Sequence, residues 1–383
     1  MKMLEDTIAP RFSRDPLRFL DERFPADGDI VRTGRNEYML GNPDEARAVL
    51  RNEEARYDEH SDFFHTRYGT FGPRAAQLRV RREARALVRE WLQRRTQDDL
   101  IAHVRAHLPA TSEWPDTGNQ LVYRYLSPLL LADDDDPKLR ALLDRIVERA
   151  ALAGARARQP RWRRMLLQFE TTYRLSKAIE ARQASAEAHA APRDLIDVVA
   201  RSIEPGQRTD ELAEIYLSFL FAVAGSMGFV LGWSLYLTAT HPERVAPPEW
   251  IVQEALRLWP VAWQLGRHPT KAHRVAGVGI ETSDEVVVCP YMVHRHPDYW
   301  REPSAFRPER WSNEDAWRNP AFIPFGYGPH RCIAADLSTR FISEMLATIL
   351  ASNAIAIYAH HPRPTVAAAM APPPFRLTLR PRG

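Results

Sequence analysis

Polar and apolar positions repeat at helical spacing along most of the chain. In VRREARALVREWLQRR, residues Ala84, Leu87, Val88, Trp91 and Leu92 fall on one stripe. PPEWIVQEALRLWP reads as a helix that starts at a proline pair and stops near Pro260. The acidic run Asp133 to Asp136 before Pro137 suits a solvated helix start. A last helix is expected from Ala335 to about Leu350, followed by Pro-rich strands. Strand signals are few. GDIVRTGRNEYMLGNPDEARAVLRN predicts a hairpin turning near Gly34 to Asn36, then a helix capped by Asn42 with Pro43 first. HRVAGVGIETSDEVVVCPYMV predicts a second hairpin around Ser283-Asp284. ARQASAEAHAAPRD reads as a surface connection, and residues 294–331 as irregular. The expected fold is mainly α with small β-sheets, in a single domain over residues 1–383 without repeats.

One segment breaks the amphipathic pattern. Ile215 to Thr240 holds no Asp, Glu, Lys or Arg, yet Gly225, Gly228 and Gly232 interrupt it. Each glycine costs a helix about 1 kcal/mol against alanine. The run is long enough to span a bilayer. Its serines and threonines, and its place between soluble segments, favour a helix buried in a large core.

Composition adds limits. The 52 basic and 49 acidic residues leave +3, too weak a balance to imply nucleic acid. Only four of the basic residues are lysines, which reads as coding bias; the cluster from Arg156 to Arg164 reads as a solvated helix face. Cys289 and Cys332 make no CxxC and no disulfide framework, which fits a reducing, cytoplasmic setting. The N-terminus lacks the apolar core of a signal peptide or anchor.

Chemistry concentrates in FIPFGYGPHRCIAADLSTRFISEML. Cys332 lies just before a helix, where free N–H groups and positive partial charge favour thiolate. Gly326 and Gly328 let the loop turn tightly beside a flat ligand. A thiolate in such a turn suits a haem iron; a buried structural cysteine is the other reading. Glu254 and Arg257, at i and i+3, can pair on one helix.

Phe325, Gly328, His330 and Cys332 resemble the F-x-x-G-x-[HR]-x-C signature of the cytochrome P450 haem-thiolate family, with Ala334 where glycine is usual. Glu254 and Arg257 are similar to its E-x-x-R motif, and FRPERW to its P-E-R-F segment. The resemblance implies a P450-like fold, haem b (iron protoporphyrin IX) and Cys332 as iron ligand. It implies a structural cluster of Glu254, Arg257 and Arg310, and propionate contacts from Arg81, Arg85, Arg267 and His330. It also implies a monomeric oxidoreductase taking electrons from ferredoxin and ferredoxin reductase, which the spare arginines would help to steer.

The uncharged helix resembles the family's central helix, whose usual pattern is A/G-G-x-[D/E]-T. Setting Ala224-Gly225 on the small pair puts Ser226 at x, Met227 at the acid and Gly228 at the threonine. Gly225 then allows close approach, while the proton-carrying pair is lost. Three readings stay open: a monooxygenase with protons from Ser226, water or substrate; an enzyme of pre-oxidised N–O or O–O substrates, by nitrene-type transfer, dehydration, rearrangement or peroxygenation; or a haem carrier. By family position, Phe63, Phe64, Phe71, Phe221, Val261, Trp263 and Gln264, with Ser226 and Met227, would line the substrate site of a natural-product tailoring enzyme.

Overall fold

A computed structural model describes residues 9–24, 26–58, 64–132, 136–148, 161–184, 191–202, 207–360 and 362–381. The chain is mostly helical with small sheets and divides into two compact units, each assembled from separated segments.

The first unit takes residues 1–60, 241–332 and 366–370. Its four-stranded sheet joins Ile30–Arg32 antiparallel to Glu37–Leu40, that strand parallel to Glu285–Val288, and Glu285–Val288 antiparallel to Leu265–Arg267. The helix Pro43–Arg51 starts as expected. Asn42 Oδ1 accepts from the amides of Asp44 and Glu45 at 3.1 and 2.9 Å.

The second expected hairpin forms elsewhere. His273–Val275 pairs with Val278–Ile280. The turn falls at Ala276-Gly277, both in the left-handed region at φ +46° and +79°, which closes a two-residue hairpin tightly. Ser283-Asp284 instead ends one sheet and opens another, because Glu285–Val288 finds its partners in the four-stranded sheet.

The second unit takes residues 61–240, 333–365 and 371–383. Helices Arg74–Gln93, Asp116–Leu130, Arg161–Ala184 and Ala335–Ser352 belong to it, as does the sheet Asn353–Tyr358, Phe375–Pro381, Thr111–Trp114. Ala84 and Leu87 of the expected stripe are buried, and Val88 and Trp91 pack against the same core. Asp136 caps the helix Pro137–Ile146; Asp133 to Asp135, Arg156 to Gln159 and the middle of ARQASAEAHAAPRD lie outside the described residues.

The uncharged run makes up all but the first six residues of one continuous helix, Thr209–Thr240. By length and composition it could cross a membrane, but 56% of its most apolar window is buried inside the fold. Two of its glycines answer to packing. A Cβ at Gly228 would lie 2.6 and 2.7 Å from the backbone Cα and N of Asn119. At Gly232 it would lie 3.0 Å from Pro372. Gly118 faces back, its added Cβ 3.0 Å from the Gly228 carbonyl oxygen. The central helix and helix Asp116–Leu130 therefore approach backbone to backbone, which only glycine permits.

Candidate functional site

In the first unit, the helix Pro248–Leu258 carries a buried charge hub. Glu254 and Arg257 have no side-chain exposure. Glu254 accepts from Arg257 Nε and Nη2 at 2.9 and 2.7 Å, Arg310 Nε at 3.1 Å, Trp311 Nε1 at 3.0 Å and the Arg307 amide at 3.0 Å. Arg257 also donates to the carbonyl oxygens of His294, Pro303 and Ala305 at 3.0, 2.6 and 3.0 Å. Every oxygen and nitrogen so named is satisfied, the condition under which buried charge is tolerable. The cluster ties residues 294–311, which have almost no regular structure of their own, to a rigid helix.

His294 extends this tie and is not legible from motif spacing. Its Nδ1 donates to the Arg257 carbonyl at 3.0 Å, and its Nε2 accepts from the Ile323 amide at 2.9 Å. Burial, reinforced by the Arg257 and Arg295 charges, lowers its pKa to about 3. The unfolded chain binds a proton here below about pH 6.5, where the folded chain does not. Stability from this residue is therefore complete above pH 6.5 and falls by about 1.4 kcal/mol per pH unit below it, until about pH 3. In denaturant titrations at pH 6 and pH 4, His294→Gln is expected to flatten the pH dependence by about one proton. An unchanged slope would refute the neutral imidazole.

The cysteine loop follows. Gly326 and Gly328 both lie in the left-handed region, at φ +69° and +70°. A Cβ at Gly328 would also sit 3.0 Å from the Leu50 carbonyl oxygen and 3.1 Å from Arg51 Cα. Tyr327, between them, is held by the Arg47 guanidinium, which lies 4.3 Å from its ring centroid and donates to its hydroxyl. The Cys332 amide donates to the Phe325 carbonyl at 2.9 Å, closing the loop on itself. The two thiols are thereby separated in character. Cys289 is buried, with its pKa pushed up to about 12 by that burial, whereas Cys332 is exposed. Arg267 is buried in the same unit and donates to the Gly266 carbonyl at 2.7 Å; His330 is half-buried.

In the second unit, the central helix is not uniform. Between the α-helical stretches Thr209–Phe221 and Gly228–Thr240, residues Ala222–Met227 make a π turn. Such turns are rare and recur at functional sites. A Cβ at Gly225 would meet nothing within 4 Å, so Gly225 faces open space, the opposite of the packed Gly228. Gly228 is thus packed against Asn119 of helix Asp116–Leu130, while the space at Gly225 leaves room for the close approach of a ligand. Ser218, Ser234, Thr238 and Thr240 each donate to the carbonyl oxygen four residues back, at 2.8 to 3.1 Å. The half-buried Ser226 makes no such bond among the described residues.

The remaining candidates divide. Arg81 and Arg85 are half-buried on helix Arg74–Gln93. Arg85 forks onto Asp336 at 2.9 and 2.7 Å and also donates to the Ile333 carbonyl. Ala334 is the residue before helix Ala335–Ser352. Phe64 and Phe71 stack with centroids 6.3 Å apart and belong to the core; Phe63 lies outside the described residues. Val261 and Trp263 are buried, with the Trp263 indole N–H donating to the Ala367 carbonyl at 2.9 Å. Gln264, Phe221 and Met227 are half-buried.

Within the first unit the donor set fits a haem: one exposed thiol on a glycine-shaped loop and a buried guanidinium. Comparison with known proteins agrees with that class. Residues 249–378 match the sequence model of the family described as Cytochrome P450. The chain is 30% identical to Cytochrome P450 3A19 of Capra hircus aegagrus, over 34% of this chain and 73% of that protein. It is 36% identical to Cytochrome P450 3A5 of Homo sapiens, over 37% of this chain and 33% of that protein. The match thus spans about a third of the length of several such relatives, Lithocholate 6-beta-hydroxylase of Mesocricetus auratus among them. Among solved structures, Cytochrome P450 CYP109Q5 from Chondromyces apiculatus superposes with a TM-score of 0.75 at 17% identity, covering 98% of each chain. A mutant of P450 EryK in complex with erythromycin B gives 0.70 at 19%, covering 97% of each. The chain belongs to the cytochrome P450 family, whose members are haem-thiolate oxidoreductases.

Proposed function

We propose that this chain is a cytoplasmic haem b monooxygenase that tailors a natural-product small molecule, with Ser226 carrying the proton-delivering hydroxyl. The observation that carries the cofactor reading is the exposed Cys332 on its glycine-shaped loop, the one other cysteine being buried with its pKa raised. When bound, the haem supplies the redox centre, and a cysteinate ligand donates electron density to its iron. Cys332 would be that ligand. Arg267 and His330, with Arg81 and Arg85 from helix Arg74–Gln93, would meet the propionates; arginine suits carboxylate by its forked geometry. Arg85 would exchange Asp336 for a propionate or keep both. Phe221, Val261 and Met227 would give the substrate apolar contacts, and Gln264 a polar one. The natural substrate class rests on fold-level likeness to a protein seen with erythromycin B.

We set the family's helix pattern two residues nearer the N-terminus, on the π turn itself, with Val223 at its glycine. Ala222-Val223-Ala224-Gly225-Ser226 then occupies it, with glycine at the acid and a serine hydroxyl at the threonine. Ser226 can hold and pass a proton, directly or through one water. The missing acid favours a second reading, in which the substrate arrives with an N–O or O–O bond and needs no delivered protons.

Purified protein, reduced under carbon monoxide, is expected to give the thiolate-type absorption band. With a ferredoxin and its reductase supplied, Ser226→Ala is expected to divert reducing equivalents from product to peroxide, with product formation falling on the order of 10²-fold. Turnover that needs neither electrons nor Ser226 would replace the monooxygenase by the second reading.

A further inference from the structure

The π turn needs a holder. A π turn leaves carbonyl groups of the helix out of register with the amides that would normally cap them. Asn119, on helix Asp116–Leu130, is fully buried. Its amide orientation is set by the hydrogen-bond network. With the amide nitrogen turned toward the central helix, it donates to the carbonyl oxygens of Ala224 and Gly225 at 3.1 Å each. No other orientation satisfies both its nitrogen and its oxygen. Two donors of one side chain thus meet two consecutive carbonyls inside the turn Ala222–Met227. The contact is also sterically fixed. Asn119 backbone atoms fill the space where a Gly228 side chain would stand, and Gly118 lies against the Gly228 carbonyl.

We infer that Asn119 is a positioning residue: it holds the π turn, and through it aims the open face of Gly225 and the Ser226 hydroxyl. Alanine at this site removes both side-chain donors, leaving the Gly225 carbonyl with the Gly228 amide alone, and the turn relaxes toward regular α-helix. Relaxation rotates Gly225 and Ser226 relative to the anchored Gly228–Gly232 seam. Asn119 touches no reacting group itself. A neutral aspartic acid could restore only one donor, and an aspartate would face the two carbonyls with its own negative charge.

The inference rests on the haem-thiolate reading above, and the test separates the two. The haem-loaded protein is reduced under carbon monoxide, and both the absorption band and the infrared C–O stretch are recorded. Asn119→Ala and Asn119→Asp are expected to keep the thiolate-type absorption while moving or splitting the C–O stretching band; Asn119→Ser, whose hydroxyl restores one donor, should fall between. Gly232→Ala, which loads the same helix against Pro372 but lies outside the turn, serves as the packing control and should leave the band in place. A wild-type band in Asn119→Ala, or an equal shift in Gly232→Ala, overturns the inference. If Asn119→Ala fails to hold haem, Asn119→Ser decides: recovered haem with a shifted band supports the holder, and no recovery overturns it. Absence of the thiolate-type absorption in the wild type would instead refute the haem-thiolate reading.

Discussion

Cys332→Ala is expected to remove the thiolate-type carbon monoxide band entirely and, with it, turnover. The one other cysteine offers no substitute thiolate. Cys289 lies at the end of a buried strand segment, and its thiol is held protonated by burial up to about pH 12. Among the described residues no three His, Cys, Asp or Glu side chains cluster as a metal site. The substitution keeps the bond that closes the loop, since the Cys332 amide donates to the Phe325 carbonyl. Stability without haem should therefore stay within about 0.5 kcal/mol, as for a surface change away from such restraints. The two readouts together isolate ligation from folding. A surviving thiolate-type band would refute the ligand assignment.

Glu254→Ala should act in the opposite way, through the fold. It deletes the acceptor for five hydrogen bonds and leaves the fully buried Arg257 with carbonyl partners only. Removing one partner of a buried ion pair typically costs about 3–5 kcal/mol, because an uncompensated charge remains. The expected loss is of that size, read from the denaturant midpoint, with poor haem retention as its consequence. Arg310 is less deeply buried than Arg257, so Arg310→Ala should cost less. A Glu254→Ala loss below about 1 kcal/mol would place the cluster among surface ion pairs, which rarely exceed that value.

Much of this was legible in the sequence, for local reasons. Asn42-Pro43 predicts a helix start because cap and proline act within one turn. Glu254 and Arg257 pair because three residues nearly complete a turn. The cysteine loop was legible because left-handed backbone demands glycine at Gly326 and Gly328. What escaped depends on partners distant in the chain. The alternation predicts Glu285–Val288 as half of a hairpin, because alternation says nothing about which edge a strand will join. His294 carries no motif, and its role appears only when Arg257 and Ile323 flank it. Asn119 left one faint signal, a Gly-Asn pair in the first turn of its helix. The propionate and substrate residues were placed by resemblance alone, and the core packing of Phe64 and Phe71 gives those two an ordinary reason to be aromatic.

The π turn has a consequence for angular phase. Each residue of an α-helix advances the side-chain direction by about 100°. A wider turn breaks that count, so the faces before Ala222 and after Met227 keep separate phases. Counting back from Gly228 and forward from Phe221 therefore gives different answers for Ser226. Single-residue deletion at Met227 should rejoin the two phases and swing Ser226 away from the direction that Gly225 leaves open. One residue thus works as a dial on this helix, setting which side chain faces the chemistry without moving either end.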